Sequence, residues 1–87
     1  MTTKTDWLKE ELDKLRATRD ELRLQIHLGT AEARDRFATL EKSWHHMEGQ
    51  MKSLSAATQP DRERIQETAR TLAHEIADGY RHLKTLL

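Results

Sequence analysis

Two histidines flank a carboxylate in a spacing that could hold a metal ion. His74, Asp78 and His82 fall at i, i+4 and i+8, so on a helix they share a face, and imidazole with carboxylate suits zinc, nickel or copper. Against this, His74-Glu75-Ile76-Ala77-Asp78 lacks the second histidine of the zinc-protease motif. The apolar pattern of the segment also puts all three residues on outward positions, where a solvated face is the simpler expectation. His45 and His46 are adjacent, with Glu41 one turn before His45 and Glu48 nearby. Neighbouring residues on a helix point about 100° apart, so these two imidazoles diverge and serve better as a polar flank beside Trp44. His27 borders an apolar stretch and needs no ligand to explain it. There is no cysteine, no Ser-His-Asp grouping, no carboxylate pair set apart from basic neighbours and no Gly-rich phosphate loop. The expectation is a protein that is not an enzyme and uses no cofactor or metal. A small metal- or ligand-binding protein using His74, Asp78 and His82 is the alternative.

Charge excludes further classes. Lys plus Arg and Asp plus Glu both number 15, and the balance holds locally: six and six in residues 1–30, four and four in 31–60, five and five in 61–87. A nucleic-acid or membrane-surface site needs clustered basic charge, so neither partner is expected. The longest uncharged stretch, Ser53 to Pro60, is far short of the about 20 apolar residues that span a bilayer, and the N-terminus has no apolar signal core. A cytoplasmic location is the expectation.

The elements that would carry these residues are helices. The chain of 87 residues has twelve Leu, nine Ala and no Val, with only three Gly and one Pro. That composition predicts an all-α protein. Leu8, Leu12, Leu15, Leu22 and Ile26, then Phe37, Leu40, Trp44, Met47, Met51 and Leu54, step by three and four like a coiled-coil seam. Arg19 takes the slot between Leu15 and Leu22, and Gly29 and Ala33 carry the count to Phe37. A 4-4-3 spacing there unwinds the supercoil without moving the stripe. A second seam runs through Ile65, Ala69, Leu72, Ile76, Gly79, Leu83 and Leu86 after the only proline. Thr58, Pro60 and Asp61 supply a cap, a first-turn proline and an acid for its start.

One domain over 1–87 follows, an antiparallel coiled-coil-like hairpin with helix one at about 6–54, a turn at about 55–60 and helix two at about 61–86. Gly29-Thr30 offers the competing outcome, since Gly can end a helix and Thr can cap the next. That would give a monomeric three-helix bundle. Continuity is favoured because an isolated Gly costs a helix only about 1 kcal/mol and Glu32 can pair with Arg36. Leu24, Leu28, Ala31 and Ala38 add a second apolar line beside the seam, read as a broad core face or an intermolecular contact.

The unequal helices imply a partner. Helix two can cover only the later half of helix one, which leaves Leu8, Leu12, Leu15, Leu22 and Ile26 to another chain. An antiparallel homodimer crossing near Gly29 and Ala33 brings Arg19 beside Glu41 of the other chain. The expected function is a coiled-coil interaction or scaffold module that self-associates through its first helix and can also bind another helical protein.

The runs Glu21-Leu22-Arg23-Leu24-Gln25-Ile26-His27-Leu28, Ala31-Glu32-Ala33-Arg34-Asp35 and Leu40-Glu41-Lys42-Ser43-Trp44, with Gly79-Tyr80-Arg81-His82-Leu83 near the end, resemble a family of small uncharacterised bacterial coiled-coil proteins. The resemblance implies a helical hairpin and carries over no activity, cofactor or functional residue.

Overall fold

The computed structural model describes the backbone of residues 4–87 and the side chains from Trp7 onward. The all-α class holds: α1 spans Lys4–Ile26, α2 Ala31–Leu54 and α3 Gln59–Lys84, with no strand among the described residues. The count differs from the expected hairpin, because the long first helix over 6–54 is broken at Gly29-Thr30. Two local features make the break. Thr30 is the N-cap of α2, with φ −72° and ψ 167°, and its side chain accepts a hydrogen bond from the Ala33 backbone N–H at 3.1 Å. Before it, Leu28 N–H bonds to Gln25 O and Gly29 N–H to Ile26 O, both at 3.0 Å, so α1 ends in a tightened last turn. Arg34 adds a side-chain donor to the Gly29 carbonyl at 3.2 Å. The Arg36–Glu32 pair that argued for continuity does form, at 3.3 Å, but it lies wholly inside α2 and is indifferent to the break.

Folding back settles the burial problem that suggested a second chain. Leu8, Leu12, Leu15, Leu22 and Ile26 are all buried within one molecule, in a single core with Ala33, Phe37, Trp44 and Met47 of α2 and Ala69, Ala73, Ile76, Tyr80 and Leu83 of α3. Each helix contributes one apolar stripe, as the three-four spacing requires.

The second turn lies close to its expected place, at residues 55–58. Thr58 is the N-cap of α3 with φ −73° and ψ 167°, and Pro60 stands in the first turn. Contrary to expectation, the Thr58 hydroxyl does not cap the backbone; it donates to the Asp61 carboxylate at 3.1 Å. Arg62 instead closes the turn, its guanidinium donating to the Leu54 carbonyl at 2.7 Å.

The three helices are not equally close. α2 and α3 pack most extensively, α1 lies against α3, and α1 and α2 approach each other least. Ala69 and Ala73 of α3 are buried in the shared core, and a Cβ at Gly79 would collide with Leu40 Cδ2 of α2. Gly79 is therefore where two backbones need a missing side chain. Leu72 is half-buried and packs against this core, as its seam position predicts, and Ile65 is half-buried too; the most enclosed positions of α3 are Ala69, Ala73, Ile76, Tyr80 and Leu83.

Candidate functional site

Across the wider α1–α2 seam, long side chains bridge what the backbones do not. Arg19 of α1 meets Glu41 of α2 with two parallel bonds, Nε to Oε1 at 2.7 Å and Nη2 to Oε2 at 2.8 Å. Arg23, one turn along, reaches Oε2 at 3.4 Å. Bidentate guanidinium–carboxylate pairs are among the stronger hydrogen-bonded contacts two side chains make, and these two keep only 13% and 20% of their side-chain exposure. The pairing anticipated between two chains thus forms inside one.

The tie rests on an aromatic floor. The Arg19 guanidinium stands 5.3 Å from the Trp44 ring centroid and that of Arg16 5.9 Å, so two cations of α1 lie over one indole of α2. Tyr80 of α3 is buried within the electrostatic reach of Glu41 and Arg19. The Trp44 indole N–H and the Tyr80 hydroxyl are fully enclosed and have no hydrogen-bond partner. Local electrostatics follow from the pair. The hydrogen bond from Arg19 holds the Glu41 carboxyl below its ordinary range, overcoming the opposing effect of burial, and Glu41 in turn raises the Arg19 guanidinium. Burial, reinforced by the Glu41 charge, pushes the Tyr80 phenol above its usual value. A neutralised ion pair over buried rings offers no nucleophile; it is a clasp.

At its other end α1 is held by Trp7, whose ring has the Arg70 guanidinium 5.3 Å from its centroid and the His74 ring 5.9 Å away at 40°. His74 therefore belongs to an α1–α3 contact. Asp78 is ion-paired with Arg81, and His82 is exposed. The three residues weighed as metal ligands are not gathered: among the described residues no group of three His, Asp or Glu side chains could hold an ion. His45 lies 3.3 Å from Glu48 and 3.9 Å from Glu41, His46 is exposed on another side, and His27 is exposed in the first turn. Lys14 pairs with Glu11 at 3.7 Å, and Glu48 faces His45.

Of the residues assigned to self-association, Leu8, Leu12, Leu15, Leu22, Ile26 and Ala33 are buried in the chain, Arg19 and Glu41 form the clasp, and Gly29 is half-buried beside Leu87. The second apolar line fares differently. Leu24 is 76% exposed and Leu28 94%, with Ala31 and Ala38 also in solvent, so that line is not a core face. Leu87, 46% exposed, joins Leu28, Gly29 and Leu86 around a shallow groove at the α1–α2 turn that Glu21, Gln25, Thr30 and Lys84 also line. Trp44 is legible as a seam residue, but nothing in its spacing, or in Tyr80 beside the second seam, announces that the two would floor the clasp.

Compared with protein-family models, curated proteins and solved structures, the chain matches none. No helix among the described residues is long and apolar enough to cross a membrane. What the molecule does must come from its own surface.

Proposed function

We propose that the chain is a non-enzymatic helical interaction module that self-associates through the end of its first helix. One observation carries this: Leu24, near the end of α1, and Leu28, in the turn that follows, lie four residues apart and keep most of their surface in water, in a chain that encloses the other leucines of α1. Two exposed leucines in register, with Leu87 nearby, form an apolar end of the kind that marks a contact site. The charge pattern agrees. Acidic and basic residues alternate evenly elsewhere, which keeps the sides of the bundle solvated and confines adhesion to one end.

Light scattering over a range of concentrations tests the proposal, with Leu24→Glu/Leu28→Glu as the comparison and circular dichroism to verify that both proteins stay helical. The wild-type mass should rise above 10.2 kDa with concentration while the double variant stays there. Equal monomer masses for both at high micromolar concentration would refute self-association at this end.

A further inference from the structure

The two turns of the chain are nearly alike in backbone, yet only one can straighten. Thr30 and Thr58 share an extended ψ of 167° after a φ that is already helical. Pro60 follows Thr58 by two residues, and its ring and missing N–H bar a continuous helix through that turn. The first turn has no proline and no residue with positive φ, and the chain keeps tight i→i−3 bonds as far as Gly29. Bringing ψ of Thr30 to a helical value, together with helical backbone at residues 27–29, would join α1 and α2 into one helix.

The contacts across the seam are centred on that same residue. Arg19 and Glu41 are equidistant from Thr30 along the chain, and so are Arg16 and Trp44. If two straightened chains cross antiparallel at Thr30, two-fold symmetry sets Arg19 of each opposite Glu41 of the other, and Arg16 opposite Trp44, in the register they keep within one chain. The three-four seam runs unbroken through Gly29 and Ala33, so the apolar stripe also stays on one side of the joined helix.

We propose that this chain forms a dimer with a second copy by exchanging α1 about Thr30, so that each α1 packs on the α2–α3 hairpin of its partner and the Arg19–Glu41 clasp closes between chains. Every core contact of α1 is remade. The proposal rests on the self-association reading above and adds its mechanism.

Ala31→Pro is the lock. Position 31 is the first residue of α2, where proline fits, and the proline would hold Thr30 in its extended conformation and forbid the joined helix. Gly29→Ala/Thr30→Ala acts in the opposite sense by removing the cap and favouring helix. By light scattering, Ala31→Pro should keep a mass of 10.2 kDa under conditions where wild type reaches twice that, and the double-alanine variant should be the most dimeric of the three. Mixing supplies a second measurement. Arg19→Glu and Glu41→Arg each set like charges against one another, within a folded-back chain or a homodimer, whereas exchange between them restores both ion pairs. The 1:1 mixture should therefore form a heterodimer with more helix and a higher Tm than the mean of its parts. If Ala31→Pro dimerises like wild type while Leu24→Glu/Leu28→Glu does not, association occurs by surface docking and exchange is overturned. A mixture that behaves as the average of its components overturns it as well.

Discussion

The α2–α3 hairpin and α1 are held by different physics. The hairpin is close-packed: α2 and α3 approach each other along most of their length, a glycine stands against Leu40, and the turn is fixed by Pro60 and by the Arg62 bond to the Leu54 carbonyl. α1 buries as continuous an apolar stripe in the shared core, but its backbone stands farther from α2, where the clasp of long side chains bridges the seam, and it meets α3 at its far end through Trp7. Small residues let two backbones share dispersion contacts along their whole length, while an ion pair holds at one point and pays desolvation for it. The lesson is that three similar-looking helices sharing one core make a close pair and a third helix set farther off.

The largest effect should come from the hairpin core. Ile76→Ala removes a fully enclosed side chain and should cost about 2–5 kcal/mol, with both α2 and α3 weakened together in urea unfolding. Leu15→Ala on α1 should fall at the low end of that range, because an arm can settle into the space more easily than a close-packed pair.

Next comes the clasp, which has a pH signature. Removing the Glu41 charge by Glu41→Gln should cost about 1–2 kcal/mol near neutrality, toward the lower part of the range for hydrogen bonds to charged groups, since both partners keep some solvent contact. The carboxyl titrates lower in the folded state than its ordinary 4.5. Its contribution is thus complete above that value and is lost as pH falls through the folded pKa. The stability gap between wild type and Glu41→Gln should be flat above about pH 5 and close in more acid solution. A gap that widened on acidification would assign the clasp the wrong sign.

Two glycines sharpen the contrast further. At Gly49 of α2 a Cβ meets nothing within 4 Å, so Gly49→Ala should gain about 0.5–1 kcal/mol from helix propensity. The same change at Gly79 forces Leu40 to move and should gain nothing. Equal gains at both sites in thermal melts would mean that α2 and α3 are not as close as described. The smallest effect belongs to Tyr80→Phe. The hydroxyl has no partner to lose, so stability should change by less than about 1 kcal/mol, with a gain the expected direction.

The sequence makes some of this architecture legible and hides the rest for physical reasons. The turn at Pro60 can be read because proline forbids a helix there, whereas Gly29-Thr30 merely disfavours one, by an amount that burial of Leu8 to Ile26 easily outweighs. The heptad spacing identifies the buried residues of α1 and even the meeting of Arg19 with Glu41, yet it cannot say whether the partner face lies in the same chain. Any register symmetric about the break looks identical in both cases. The exposure of Leu24 and Leu28 is likewise invisible to periodicity, because a broad core face and a bare apolar end share one pattern. For the histidines, outward seam positions gave the right surroundings, but the contact of His74 with Trp7 depends on how α1 crosses α3, which spacing does not encode.

Native-state hydrogen exchange tests most directly whether α1 is a separately held arm. Amides of Leu12, Leu15 and Leu22 should exchange through an opening of lower free energy than those of Trp44, Met47 and Ile76, leaving α2 and α3 protected while α1 is open. One common free energy for buried amides in all three helices would show a single cooperative unit and contradict the account.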